Sequence, residues 1–136
     1  MSQSVYTGPD VRPTIDSDDV FAGPVQIPSG GSPAGLTNIL TYQTKPGKRC
    51  FISVLANDVD QGGIGSVYFR LAVNGSPLPR YTLTPNQWGS PQLLTPLPVR
   101  IEVPQLATVT VDAYNSSGTN RNAFARIIFE YEDFAL

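Results

Sequence analysis

The stretch VTVDAYNSSGTNRNAFARIIFEYEDF, residues Val109 to Phe134, decides the fold of this chain. Polar and apolar residues alternate in both of its halves, and a period of two indicates β-strands with one buried face. Between the halves, Asn115 to Asn122 consist mostly of Asn, Ser, Gly and Thr, which favour turns. The stretch therefore predicts an antiparallel hairpin with a solvent-facing tip. Its predicted core positions are Val109, Val111, Ile127 and Phe129.

The same signals recur upstream of this hairpin. Alternating runs occur in KRCFISVLAN, SVYFRLAV and VRIEV, with turn signals between them. Pro46-Gly47 suits a type II turn, and Asn74-Gly75 is a strong signal for a two-residue hairpin. Six to eight short strands without a convincing helical pattern predict an all-β chain, a single antiparallel β-sandwich or jelly-roll-like domain. In KRCFISVLAN, the alternation predicts Cys50, Ile52, Val54 and Ala56 on one face and Phe51, Ser53 and Leu55 on the other.

Length and composition agree with this fold class. A chain of 136 residues is long enough for one domain with a real core and short for two. Only 15% of the residues are charged, against about 25% in ordinary soluble proteins, and there are 13 prolines and 12 glycines. Few charges and many turn formers are typical of all-β proteins.

Several functional classes are disfavoured by composition. The net charge is −2, so we expect no basic surface for nucleic acid or an anionic membrane. The chain has no histidine and one cysteine, Cys50, which removes catalytic Ser/His and Cys/His pairs and intramolecular disulfides. We expect Cys50 to be an inert buried thiol. With no signal-peptide pattern and no long apolar run, we also expect synthesis in the cytoplasm without a membrane anchor.

Residues 1–35 differ from the rest of the chain. They contain five prolines and five glycines, a density that excludes a helix or a central strand. The segment therefore predicts an extended N-terminal arm, followed by a sandwich domain over residues 36–136. The arm carries a net charge of −3, which leaves +1 for the remainder. This opposition allows the arm to lie along a neighbouring subunit, and a solvated terminus is the alternative.

Two apolar sets are candidate partner-binding residues. In the arm, apolar side chains would be unexpected if the segment were only a solvated terminus that binds nothing. In the loop PNQWGSPQLLTPLP, several large apolar residues lie among prolines and either cover one end of the sandwich or form a contact patch. The candidates are Val20, Phe21, Val25 and Ile27 in the arm, and Trp88, Leu93 and Leu94 in the loop.

Two groups of acidic residues are candidate chemical sites. Asn57, Asp58 and Asp60 could supply oxygen ligands to a cation, but the later glutamate of a calcium loop is absent, so an Asx turn is favoured and cation binding at Asp58 and Asp60 stays open. Several strand carboxylates could pair as general acid and base in a glycosidase. Because their neighbours in sequence are apolar, we expect them to face solvent or a subunit boundary. They are Glu102, Asp112, Glu130 and Glu132. No cofactor or metal site is predicted.

The segments LTYQTKPGKRCFISVLAN, VRIEVPQLATVTVDAYNSSG and RIIFEYED, preceded by a Pro/Gly-rich arm, resemble the decoration or cement proteins of tailed-bacteriophage capsids and, more loosely, other virion β-sandwich proteins. The resemblance implies a non-enzymatic structural protein, trimeric in many cases, that clamps major capsid subunits. It also implies a location on the virion surface after assembly in the host cytoplasm. An arm of this kind binds by adding a strand to a partner sheet, and several attachment points raise the overall affinity.

Two other functions remain open from the sequence. A tail or baseplate adaptor would bind another virion protein and be present in few copies. A carbohydrate-binding or receptor-binding module would need an exposed aromatic platform. The tyrosines and tryptophan that could build one are Tyr68, Tyr81, Trp88, Tyr114 and Tyr131.

Overall fold

The computed structural model describes residues 15–60, 65–81, 84–85 and 97–134. These residues form nine strands, one short 3₁₀ turn at Pro79–Tyr81 and no α-helix. The strands are β1 (Ile15–Ile27), β2 (Thr37–Gln43), β3 (Arg49–Val59), β4 (Val67–Val73), β5 (Ser76–Pro77), β6 (Thr84–Pro85), β7 (Leu97–Val103), β8 (Thr108–Asn115) and β9 (Arg121–Glu132).

The strands make two antiparallel sheets. The first sheet has four strands in the order β1-β9-β3-β7. The second has five strands, with the path β2-β8-β4-β5 and β6 paired to β4. The hairpin that decides the fold therefore does not pair with itself: β8 lies in the second sheet and β9 in the first. The predicted β-sandwich is confirmed, whereas the pairing of its last two strands was wrong.

The core lies between the two sheets. The alternation of β8 and β9 holds residue by residue, and all four core positions predicted from the last two strands are fully buried. The tip expected to face solvent is exposed from Ser116 onward, except for half-buried Ser117 and Arg121. Asn115 is buried and donates to the carbonyls of Ile27 and Thr119. This asparagine satisfies backbone acceptors where the chain crosses between the sheets.

Both predicted tight turns have the expected backbone. Gly47 has φ of 88°, the left-handed value that position i+2 of a type II turn requires. Asn74 and Gly75 have φ of 52° and 82°, and they join β4 to β5 as a two-residue hairpin whose central residues are both left-handed.

The faces of β3 differ from the sequence prediction. The pairing of β3 with β7 and β9 shifts register between Ile52 and Val54. An extra residue at this bulge exchanges the two faces. Leu55, predicted on the face opposite Ile52, is therefore fully buried in the same core, and Val54 is only half-buried.

Part of the segment predicted as an arm is a strand of the sandwich. Residues 15–27 form β1, which pairs with β9 of the same chain from Ile15–Glu132 to Ile27–Arg121. Gly23 and Pro24 fall at a register shift between Ala22 and Val25, so the proline does not interrupt regular pairing. β1 is the edge strand of the first sheet, the position that a proline-containing strand requires.

Candidate functional site

The four candidate contact residues of the arm lie at different depths. Phe21 is 54% exposed. Val20 and Val25 are half-buried and pack against the core, and Ile27 is 1% exposed within it. Only Phe21 thus offers a large apolar surface. Trp88, Leu93 and Leu94 lie outside the described residues.

Phe21 forms an aromatic patch with Phe124 of β9, which the sequence analysis did not single out. The two ring centroids are 6.1 Å apart and the rings are tilted by 37°. Gly23 makes this possible, because a Cβ at that position would lie 2.7 Å from the Phe124 ring and 2.8 Å from the carbonyl oxygen of Ala123. We call Phe21 and Phe124 the edge patch. It lies on the outer surface of the first sheet, beside the edge of β1 that has no strand partner among the described residues.

Salt bridges connect the first half of β1 to the rest of the sandwich. Asp19 accepts hydrogen bonds of 2.9 and 2.8 Å from Nε and Nη2 of Arg126. Lys48 Nζ lies 3.1 Å from Asp16, and Lys45 Nζ lies 3.3 Å from Asp18. The opposite charges of arm and body therefore meet within one chain. These pairs are largely exposed, so each adds little to stability.

A part-buried hydroxyl cluster joins β1 and β9 of the first sheet to β2 of the second. Tyr42 Oη of β2 donates to Asp18 Oδ2 at 2.6 Å and lies 2.5 Å from Tyr131 Oη of β9. Tyr131 Oη also accepts a hydrogen bond from the backbone N–H of Lys45 at 3.1 Å. The Tyr42 ring stacks on Phe129 with centroids 4.1 Å apart. We call Asp18, Tyr42 and Tyr131 the tyrosine–aspartate cluster.

The environment of this cluster shifts the pKa values of its groups. The hydrogen bond from Tyr42 holds the pKa of Asp18 below its ordinary value. Burial, followed by the bond to Asp18, raises the pKa of Tyr42, and burial also raises the pKa values of Tyr131 and Cys50. Cys50 is buried, and a raised pKa leaves its thiol protonated and unreactive at neutral pH. The cluster is thus held as one carboxylate with neutral hydroxyl and thiol neighbours, which suits a structural link.

The outer face of the second sheet carries a second aromatic pair. Tyr68 of β4 and Tyr114 of β8 are directly opposite in register. Their rings stack with centroids 4.9 Å apart and 8° between the planes. Both side chains are half-buried. Of the five aromatic residues named as a possible platform, these two come together, Tyr131 is buried, Tyr81 packs against the core and Trp88 is outside the described residues.

A polar network crosses three strands beside this pair. Asp112 of β8 accepts hydrogen bonds from Asn38 of β2 at 3.0 Å and from Arg70 of β4 at 3.2 Å. Thr41 donates to Asn38 Oδ1 at 3.0 Å. Arg70 and Asp112 are themselves opposite in register, two residues along from the tyrosines. We call the surface made by Asn38, Tyr68, Arg70, Asp112 and Tyr114 the tyrosine face.

Two of the strand carboxylates, Glu102 and Glu132, lie in ion pairs with arginines. Glu102 binds Arg49 in a two-point contact of 3.0 and 3.1 Å, and this bond lowers the pKa of Glu102. Glu132 lies 3.7 Å from Arg100. A glycosidase acid needs a raised pKa so that it holds a proton at neutral pH. The ion pair at Glu102 acts in the opposite direction.

Asn57, Asp58 and Val59 are the last residues of β3 and pair with β9, so the Asx turn predicted at this position was wrong. Asp58 Oδ1 accepts the backbone N–H of Val59 at 2.8 Å, and burial raises the pKa of Asp58. Asp60 Oδ2 accepts the N–H of Asn122 at 3.0 Å. Within the described ranges, which omit residues 61–64, no group of three acidic or cysteine side chains could hold a metal ion.

No family model matches the chain, and no curated protein is significantly similar to it. Among the residues that the structure describes, no helix is long and apolar enough to cross a membrane.

Proposed function

We propose that this chain is a non-enzymatic structural protein of a virus particle, which decorates a tailed-phage capsid by binding major capsid subunits. The observation that carries the proposal is the edge patch: Phe21, a residue predicted to contact a partner, is exposed beside the edge of β1 that no other described strand covers. The resemblance to cement proteins supplies the class of partner.

The edge of β1 is suited to binding along only part of its length. Three aspartates, Asp16, Asp18 and Asp19, occupy its first half, and charged residues protect edge strands from indiscriminate pairing. Between Asp19 and the bulge at Gly23-Pro24 the strand carries no charge, and Phe21 places apolar surface beside backbone groups that can pair with another strand. A capsid subunit that adds a strand here would gain main-chain hydrogen bonds together with aromatic contact.

A trimer would explain how a small patch holds a protein on a capsid. Each copy offers little apolar area, and a single contact of that size is weak. Three linked copies convert the second and third contacts into intramolecular events and raise the overall affinity. We therefore expect a homo-oligomer, with a trimer favoured.

Occupancy on capsids tests the proposal. Full-length protein is mixed with expanded capsids that lack it, and bound copies per particle are counted after sedimentation. Phe21→Ser should lower the apparent affinity about tenfold or more, because loss of a central aromatic contact costs about 1–2 kcal/mol. Leu106→Ser is the matched control, since Leu106 is 57% exposed and lies in the β7–β8 connection.

Three results distinguish the outcomes. Loss of binding with Phe21→Ser but not Leu106→Ser supports the edge patch as the contact. Equal occupancy for all three proteins rules out that contact. Saturation at only a few copies per particle contradicts decoration and favours a tail or baseplate adaptor.

A further inference from the structure

We propose that the tyrosine face binds neutral sugar rings of an oligosaccharide. This site goes beyond capsid decoration, because the tyrosine face belongs to the second sheet whereas the edge patch belongs to the first. The outer surfaces of the two sheets of a sandwich point in opposite directions. One chain can therefore bind a capsid with the first sheet and a glycan with the second.

The stacked tyrosines provide the apolar half of such a site. Tyrosine combines a flat apolar ring with a polar tip, which matches a sugar with one apolar C–H surface and hydroxyls at its rim. The rings of Tyr68 and Tyr114 lie parallel and are partly exposed. Within the described part of the chain, neither phenol hydroxyl makes a hydrogen bond. Both are thus available to a ligand.

The Asn38–Asp112–Arg70 network provides the polar half. Its groups are fixed by one another before any ligand arrives, which reduces the ordering cost of binding. Two residues along a strand span about 7 Å, so the network and the tyrosines are within reach of the same small glycan. The Arg70 side chain is 28% exposed, so part of its guanidinium lies at the surface of the face.

The charge of the face selects the class of glycan. Arg70 and Asp112 are its two charged groups, they are paired, and Asp112 is only 14% exposed. The sum of their charges is zero. A sialylated or sulfated glycan would need unpaired cations, whereas hydroxyl groups both donate and accept hydrogen bonds and suit a mixed network. The face therefore fits a neutral oligosaccharide.

A glycan panel tests the proposal with the full chain. The panel holds neutral oligosaccharides of glucose, galactose, mannose and N-acetylglucosamine, with sialylated and sulfated glycans for comparison. We expect binding to neutral members. Tyr114→Ala should weaken it about tenfold or more, equivalent to about 1.4 kcal/mol. Tyr114→Phe keeps the ring and should lose less. Phe21→Ala, on the other sheet, should bind as the unmodified protein does.

A measurement without substitution guards against variants that do not fold. In the unmodified protein, the ring proton resonances of Tyr68 and Tyr114 should shift when the best neutral oligosaccharide is added. The proposal is overturned if no neutral glycan binds, if only anionic glycans bind, or if folded Tyr114→Ala and Tyr68→Ala bind unchanged. It is also overturned if Tyr114→Ala abolishes self-association and glycans leave the ring resonances in place, because the face is then an interface between copies.

Discussion

At the scale of single residues, the tyrosine–aspartate cluster shows how one hydroxyl can join three strands. Tyr42 Oη of β2 contacts Asp18 of β1 and Tyr131 of β9. We expect Tyr42→Phe to lower the free energy of unfolding by about 1–2 kcal/mol, because Asp18 and Tyr131 each lose a hydrogen-bond partner. Chemical denaturation at neutral pH measures the difference.

The chain offers a matched control for this substitution. Tyr114→Phe also removes one phenol hydroxyl from a stacked ring, but that hydroxyl has no hydrogen-bond partner in the described residues. Its cost should stay within about 0.5 kcal/mol. If the two substitutions cost the same, the hydroxyl of Tyr42 does not link the strands.

At the scale of elements, β1 combines a buried end with an exposed middle. Ile27 is 1% exposed and Phe21 is 54% exposed on the same strand. We expect Ile27→Ala to cost about 2–5 kcal/mol, because it leaves a cavity between the sheets. Phe21→Ala should cost less than about 1 kcal/mol. Thermal unfolding of both variants checks the contrast.

This contrast also decides how the arm should be tested. Deleting residues 1–35 would remove Ile27 and uncover β9, so a loss of binding would not separate contact from folding. A small cost for Ile27→Ala, similar to that for Phe21→Ala, would mean that β1 is not docked in solution as described. Substitution of Phe21 is then the cleaner test of binding.

Local pattern predicted the strands whose pairing is regular. The alternation in β4, β8 and β9 and the two tight turns depend on neighbours in sequence, so they could be read directly. The bulge near Ser53 could not, because an extra residue is defined only against the partner strand. The pairing of β1 with β9 joins segments about a hundred residues apart. A local sequence pattern does not show which distant segments pair.

The same limit applies to the candidate sites: sequence pattern identified some of their residues but not which residues come together. Phe21 is exposed, and its role as a contact with a partner stays a prediction. Its partner Phe124 was not predicted, because the contact between the two rings depends on Gly23 of another strand. Tyr68 and Tyr114 were named as possible platform residues, but only the β4–β8 register brings them together. Long-range pairing thus builds both surfaces from residues that local pattern leaves unconnected.

At the scale of the whole molecule, the absence of histidine predicts a flat stability profile around neutrality. Histidine is the side chain that ordinarily titrates between pH 5 and 8, and this chain has none. Burial raises the pKa of Cys50, so the folded protein also delays thiol ionisation. We expect the free energy of unfolding to change little between about pH 5 and pH 8, and to fall on both sides of this range.

The acid side is governed by carboxylates whose pKa values are lowered in the fold. Hydrogen bonds from Tyr42 and Arg126 lower the pKa values of Asp18 and Asp19 below their ordinary 3.8. Their stabilisation is present above pH 3.8 and is lost as the pH falls through the lower folded values. Asp58 acts in the opposite sense, because burial raises its pKa and protonation then favours the fold. Asp19→Asn should therefore flatten the acid limb.

The alkaline side is governed by the two tyrosines of the cluster together with Cys50, whose pKa burial also raises. Burial raises the pKa values of Tyr42 and Tyr131 above the ordinary 10.0. In the unfolded chain these phenols ionise near pH 10, so their stabilisation is complete below that pH and is lost as the pH rises toward the higher folded values. Tyr42→Phe should flatten the alkaline limb and Asp19→Asn should leave it unchanged. Denaturation midpoints measured from pH 2 to 11 for the unmodified protein, Tyr42→Phe and Asp19→Asn test this assignment. An alkaline limb that is identical in Tyr42→Phe would show that ionisation outside the cluster controls it.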